Sequence, residues 1–564
     1  MESKKNIKTL TFEINNLLNG KIAFDHYYEF IISGIYVRYI EKEIIKEYYG
    51  EIKSYDYALE KLKLFDEQLI YSFNRLLDGI SYEEIDELIH YTINYNFDRG
   101  RIFENSNNTL NKLAIELLKL QSGDIVFDLG SGLGSFLIDT LRYSLDKRMV
   151  LKDIIGIDYN TEYVHLANMA LKCLSRNLIT PIIRYGNALE KIDYPYNKGF
   201  VYPPLGMKQN SMDKNISSKL FEYKFSTRNS IEWIFIDRLL SKISGDTRAV
   251  ALIPLKPLYN DADKEYRNLL LEKGLIEGII ELPNGALEYS GIKMCLMVFS
   301  KKNYSVKILD ATNFLSGATT RFSKINIQYQ EIVKHYFSKS CESRTNEDLI
   351  KLNNITPSNL AIKVEKIKNG ILLSSVAKVF TGSQYTIRNF QDRFSHECTG
   401  YKILTSSDIN NGNVEWDELQ SFINEDKKID KYAVQKNDII LTSKSTKVKT
   451  VVVDIDPEEK IIVTGGMLIV RPNPDMLDST YFKIYIDSEN GINTLKSIQK
   501  GSIIVTINAK DLSNIVIPNA TIEKQKKMSK KYNNMLSTLI AYKKELENLE
   551  NKLSNFFLDE IEDE

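Results

Sequence analysis

The residues whose types and spacing could do chemistry fall in two stretches. The first is "IVFDLGSGLGSFLIDTLRYSL", which reads as a strand, a tight glycine turn and a helix. Gly130, Gly132 and Gly134 let the backbone approach a ligand, and the helix that follows presents its positive N-terminal end. Dinucleotide sites share such a turn, but the G-x-G-x-x-G spacing fails here, because Ser135 stands where the third glycine belongs. Asp128, just before the glycines, is better explained by S-adenosylmethionine, whose cationic end a carboxylate pairs. The next strand ends in "IIGIDYN" and places Asp158 where it can accept both ribose hydroxyls. "RYGNALEKI" follows a third expected strand, and its Asn187 serves either the adenine ring or a turn cap. A glycine turn with two solvated acids is the plainer alternative. Loop and acid in successive βα units favour the nucleotide-type site. The second stretch is "NKGFVYPPLGMKQN", which sets Pro203 and Pro204 after a hydrophobic run, with Tyr202 and Leu205 on either side.

The elements that must position these residues follow from texture along the chain. Residues 1–105 read as a helical domain, with Ile32, Ile35, Tyr36, Tyr39, Ile40 and Ile44 at three-four spacing. Residues 106–340 alternate short β-rich runs ("DIVFDL", "DIIGID", "RAVALIPL", "LIEGIIELP", "KMCLMVFS") with amphipathic stretches. That alternation predicts a doubly wound, Rossmann-like α/β sheet. Residues 341–365 are polar and mixed and read as a connector. Residues 366–520 carry β-rich runs such as "KTVVVDI", "KIIVTGGMLIV" and "NIVIP", as expected of a mixed α+β domain, and residues 521–564 read as one charged coiled-coil helix. The expected fold class is therefore multidomain α/β.

Composition bounds the partners. A chain of 564 residues is too long for one core, and a net charge of −1 leaves nucleic-acid binding to local patches. The four cysteines lie far apart and form no CxxC pair, which fits neither a zinc site nor a disulfide framework and predicts no metal. With no apolar signal core or 18-residue apolar run, the expected compartment is the cytoplasm.

The order of these pieces resembles the modification subunits of type I restriction-modification systems, the gamma-class adenine-N6 DNA methyltransferases. The likeness extends through "IEWIFIDRLLSKISGDTRAVALIPLKPLY" and "LLEKGLIEGIIELPNGALEYSGIKMCLMVFSKK", and back to "LLNGKIAFDHYYEFIISGIYVRYI". It implies S-adenosylmethionine contacts from Asp128, Gly130, Gly132, Gly134, Asp158 and Asn187, and double-stranded DNA as substrate. Residues from "ILLSSVAKVFTGSQY" to "GSIIVTINAKDLSNIVIPNATIEKQKKM" resemble a half-length specificity subunit of the same systems, which implies a target-recognition domain. Lys444, Lys447 and Lys449 in "SKSTKVKT" are its candidate phosphate contacts, with a solvated basic loop as the alternative.

Two departures touch the reaction centre. The family's catalytic loop reads Asn-Pro-Pro-Phe or Asn-Pro-Pro-Tyr; the Asn accepts an N6 hydrogen of the flipped adenine and the aromatic ring stacks on it. Here Tyr202 and Leu205 take those places around Pro203 and Pro204. Where the family has a Tyr-Thr-Pro near the cofactor, "RIFENSNNT" keeps only Phe103. The expected function is therefore that of a site-specific adenine-N6 methyltransferase with an altered catalytic loop, with a non-catalytic DNA-binding sensor, regulator or assembly subunit as the alternative. A third class, an oxidoreductase, fails on the glycine spacing. No G-x-x-x-x-G-K-[ST] loop occurs, so any cutting of DNA belongs to a separate restriction subunit. Met528, Tyr532, Met535, Leu539, Tyr542, Leu546, Leu549, Leu553 and Phe556 recur in steps of four and three, a heptad seam that predicts a homodimer or pairing with a specificity-type partner.

Overall fold

The computed structural model describes residues 7–23, 26–42, 52–94, 108–175, 181–190, 192, 194–207, 216–287, 290–316, 326–384, 387–410, 412–445, 447–501 and 505–562. The chain divides into two compact units, Met1–Ala361 and Ile362–Glu564.

The first unit opens with helices α1 (Ile7–Leu18), α2 (Tyr27–Lys42), α3 (Ile52–Leu62), α4 (Glu67–Leu76) and α5 (Tyr82–Asn94). Local chemistry starts two of them. Asp66 accepts from the amides of Gln68 at 2.8 Å and Leu69 at 3.1 Å ahead of α4. Ser81 and Glu84 bond reciprocally ahead of α5, a capping box. Ile32, Ile35, Tyr36 and Tyr39 are buried as their spacing predicts. The Ile40 side chain and Ile44 lie outside the described residues.

After α6 (Asn108–Leu118) comes a nine-stranded sheet: β1 (Ile125–Leu129), β2 (Asp153–Asp158), β3 (Ile182–Tyr185), β4 (Lys198–Val201), β5 (Arg248–Pro254), β6 (Ile276–Glu281), β7 (Met294–Phe299), β8 (Ser305–Asp310) and β9 (Ser343–Thr345). Their order is β9-β8-β6-β7-β5-β4-β1-β2-β3. The run from β5 to β3 is parallel, β7 is antiparallel to both its neighbours, and β9 is antiparallel to β8. Each strand feeds side chains alternately to two faces. Val126, Phe200 and Leu252 join one apolar cluster with α6, α7 (Ser135–Asp146) and α8 (Thr161–Ser175). Phe127, Val201 and Ala251 join the other with α9 (Glu232–Leu240) and α10 (Lys264–Glu272). Helices on both faces explain why the central strands read as continuous apolar runs. The α/β expectation holds, and the sheet is mixed.

The expected connector differs. Part of it forms β9, and helices at Asn346–Lys351 and Pro357–Leu360 follow, with Leu349 and Ile355 buried in the second cluster. These two apolar residues are too widely spaced among polar ones to show a period in the sequence.

The second unit has two four-stranded sheets. One contains Ala377–Thr381, Met467–Pro472, Ile439–Thr442 and Thr450–Val452; the other contains Phe394–Ser395, Ser421–Phe422, Tyr401–Leu404 and Lys460–Val463. "KIIVTGGMLIV" thus breaks at Gly465 and Gly466 into strands of different sheets. A single helix, Ile522–Glu562, ends the chain. Among the described residues no helix is long and apolar enough to cross a membrane, and no group of His, Cys, Asp or Glu could hold a metal ion.

Candidate functional site

The carboxyl edge of β1, β2 and β4 brings together Asp128, the glycine loop, Asp158 and the loop of Tyr202 to Leu205. Asp128 lies on β1 between Gly156 of β2 and Phe200 of β4. Since Val126 and Phe200 face the α7 side, so does Asp128, and by the same alternation so do Asp158 and Tyr202, two residues further along their own chains. Gly156 was not singled out from the sequence. A Cβ there would lie 2.9 Å from both Leu137 Cδ1 and Ser131 Oγ, so only glycine lets the loop and α7 approach this closely. A glycine inside an apolar strand was the available signal.

The glycine loop is held from below. The amides of Gly130 and Ser131 both donate to the Ile157 carbonyl at 2.9 Å, and the Gly132 amide donates to Asp158 Oδ2 at 2.7 Å. Gly134 sits at φ 78° as the residue that opens α7, and a Cβ there would come within 3.1 Å of Ala167 Cβ and Ile183 Cδ1. The loop therefore delivers the N-terminal end of a 12-residue helix next to both acids.

The two acids differ. Asp158 accepts from Gly132 and, through Oδ1, from the Asn160 amide at 2.9 Å. Burial pushes its carboxyl up from the ordinary range, and these hydrogen bonds pull it back. An ionised carboxylate accepts about four hydrogen bonds, so Asp158 keeps capacity for a ligand's hydroxyls. Asp128 is 3% exposed, and burial, then the charge of Asp158, raises its carboxyl well above the usual range. A buried acid facing a glycine loop with no donor of its own fits the cationic end of S-adenosylmethionine. Asn187 is exposed and serves the turn: Oδ1 accepts from the Leu189 amide at 3.0 Å. Beside it, Tyr159 and Tyr185 expose a tilted ring pair with centroids 5.9 Å apart, which sequence reading did not single out. Phe103 lies outside the described residues.

Behind the loop, a buried network fixes α7. Asp139 accepts from Asn108 Nδ2 at 2.8 Å and Asn111 Nδ2 at 2.6 Å and meets His90 Nε2 at 2.8 Å; Asn111 also donates to Ser135 Oγ at 3.2 Å. Its members come from α5, α6 and α7, and no spacing in one segment signals them.

At the end of β4, Pro203 is buried, Pro204 exposed and Leu205 half-buried against the first cluster. Tyr202 is 9% exposed, and its hydroxyl is buried without a hydrogen-bond partner. Burial raises the pKa of that hydroxyl. The ring is thus packed as an apolar side chain, and its oxygen engages no described residue.

In the second unit the three lysines divide. Lys444 and Lys447 are exposed, whereas Lys449 Nζ donates to the carbonyls of Ser406 at 3.0 Å and Ile409 at 2.8 Å and so anchors the loop. The same loop is tied to a neighbouring segment by Gln499 Nε2 on the Ser445 carbonyl at 3.1 Å.

A family model described as N-6 DNA Methylase matches residues 81–370. No curated protein matches the sequence. Among solved structures, the chain is similar to the methyltransferase subunit of a type I restriction-modification system from Streptococcus thermophilus, at 14% identity over 61% of this chain and 96% of that one, TM-score 0.47. It is also similar to a type I restriction-modification assembly (14%, 63% and 90%, TM-score 0.48) and to the type IIG restriction endonuclease BpuSI (13%, 94% and 75%, TM-score 0.45). These identities and scores are too low to carry function across.

Proposed function

Since this chain belongs to the N-6 DNA methylase family, we propose that it binds S-adenosylmethionine and double-stranded DNA, with methyl transfer to adenine N6 that is weak or absent. The observation that carries this reading is the buried, unpartnered Tyr202 hydroxyl at the position where the family resemblance places an amide. When bound, S-adenosylmethionine supplies an electrophilic methyl group. This chain's residues would hold it through Asp128, Asp158 and the amides around Gly130, Gly132 and Gly134, with Asn187 near the adenine once it leaves its turn. The adenine amine is a poor nucleophile because its lone pair is delocalised into the ring. It must be held in line with its hydrogens accepted by fixed oxygens. The Tyr202 hydroxyl stands further from the backbone than an amide oxygen would and is buried, and Leu205 has no π-face, so the amide acceptor and the stacking ring are lost together. The carbonyl between Pro203 and Pro204 is the acceptor that remains, and it favours a second reading, a slow but active methyltransferase.

The second unit is read as the target-recognition module. Lys444 and Lys447 would meet phosphates and position the protein without reading sequence. The C-terminal helix is read as a self-association device. Its first turns dock through Gln525 and Ser529, which bond Asp478 and the Met476 carbonyl. Beyond them, Met535, Leu539, Tyr542, Leu546, Leu549 and Leu553 are exposed. A second copy, or a specificity-type partner, would cover that seam, and a separate restriction subunit would supply any cutting.

The test is single-molecule sequencing of DNA from cells expressing the protein beside its Tyr202→Asn, Leu205→Phe double variant. Methylation gained only by the double variant supports the reading. Full N6 methylation at a defined motif by the unaltered protein overturns it in favour of the second.

A further inference from the structure

Hydrogen bonds reach only one of the two acids at the carboxyl edge. Asp158 receives the Gly132 and Asn160 amides, whereas Asp128 receives no hydrogen bond and makes no ion pair among the described residues. Among the described residues, no positive charge acts on Asp128. Gly156, its strand partner, lies against Ser131 of the loop, Asp158 is the charged neighbour on β2, and Phe200 is the partner on β4. Deeper in α7, Asp139 is engaged by Asn108, Asn111 and His90. An ionised carboxylate with no donor, out of water and beside a like charge, is the costly form. When two acids share a site, the one without donors holds the proton.

We propose that Asp128 is a neutral acid in the cofactor-free protein and that binding S-adenosylmethionine expels its proton. This rests on the cofactor reading above. The step balances simply. The Asp128 carboxyl loses a proton to solvent, the ligand's ammonium keeps its own, and the new carboxylate pairs that ammonium with no covalent bond made or broken. The buried acid thereby selects ligands that carry the amino-acid end, since a ligand lacking the ammonium leaves the proton where it was. Burial and the Asp158 charge both act to keep the proton on in the free protein. Affinity therefore rises with pH, by up to about tenfold per pH unit, until the Asp128 of the free protein is itself ionised, and is level above that point.

The experiment is titration calorimetry of the full chain between pH 5.5 and 6.5, where an α-amino group of pKa about 7.7–8.0 stays protonated. Each titration is run in two buffers of different ionisation enthalpy, with S-adenosylmethionine and with 5′-methylthioadenosine, which keeps the nucleoside and lacks the ammonium. The expected result is net proton release on binding S-adenosylmethionine, at most one per ligand, none with methylthioadenosine, and none from an Asp128→Asn variant that still binds methylthioadenosine. Binding of S-adenosylmethionine by the unaltered protein without proton release overturns the inference and leaves the cofactor reading intact. Release that persists in Asp128→Asn also overturns it, assigning the proton to another group. If neither ligand binds, the cofactor reading itself has failed. The two-buffer comparison on the unaltered protein needs no variant to fold.

Discussion

Tyr202 and Asp128 are both buried polar residues without hydrogen-bond partners among the described residues, and each gives a prediction at the scale of a single side chain. Removing the unpartnered Tyr202 hydroxyl relieves an unmet desolvation cost. Tyr202→Phe should therefore raise stability by about 1 kcal/mol in urea unfolding; a loss of stability would reveal a partner for the oxygen. Asp128 works through protonation. Its pKa is raised in the folded state, so the folded chain holds a proton that the unfolded chain releases, and cofactor-free stability falls as pH rises through that window. Asp128→Asn removes the titration. Its melting temperature should fall less steeply than that of the unaltered protein as pH rises from the acid range, so that the gap between the two grows with pH. Asp158→Ala should weaken S-adenosylmethionine binding by about 1–3 kcal/mol, roughly five- to 150-fold, read by calorimetry.

At the scale of elements, the loop and α7 act as one part. Gly134→Ala forces a side chain into a left-handed position and against Ala167 and Ile183. It should destabilise the fold by about 1–2 kcal/mol and also weaken cofactor binding, because the end of α7 must shift. The strands around this loop were legible in the sequence because burial on both faces turns each into an apolar run. The meeting of Asp128, Asp158 and the glycines at one loop was legible because they lie in successive βα turns. The Asp139 network was not, since Asn108, Asn111 and His90 reach it from other helices and only the fold brings them together. Residues 343–360 were misread for a related reason. Their edge strand is exposed and polar, and their two buried apolar side chains follow no period. Asn187 kept both of its sequence-level alternatives open, and the structure shows the turn-capping arrangement.

For the whole molecule, the sequence had already marked the seam of the C-terminal helix, whose Met535, Leu539, Tyr542, Leu546, Leu549 and Leu553 are exposed. Light scattering at micromolar concentration should give a dimer, and Leu546→Glu, placing a charge in the seam, should give a monomer of unchanged fold. A monomer both free and DNA-bound would remove that part of the account. The central claim is that this chain kept its cofactor site and its DNA surface while its adenine loop lost the groups that speed transfer. The most direct measurement follows labelled methyl from S-adenosylmethionine into adenine of unmodified genomic DNA, in parallel for the unaltered protein and the Tyr202→Asn, Leu205→Phe variant, at cofactor concentrations shown by calorimetry to saturate both. Loss of one preorganised acceptor slows such a step by about two to three powers of ten, so the account predicts saturable cofactor binding by both proteins and transfer at least about a hundredfold faster by the double variant. Equal or faster transfer by the unaltered protein would contradict it.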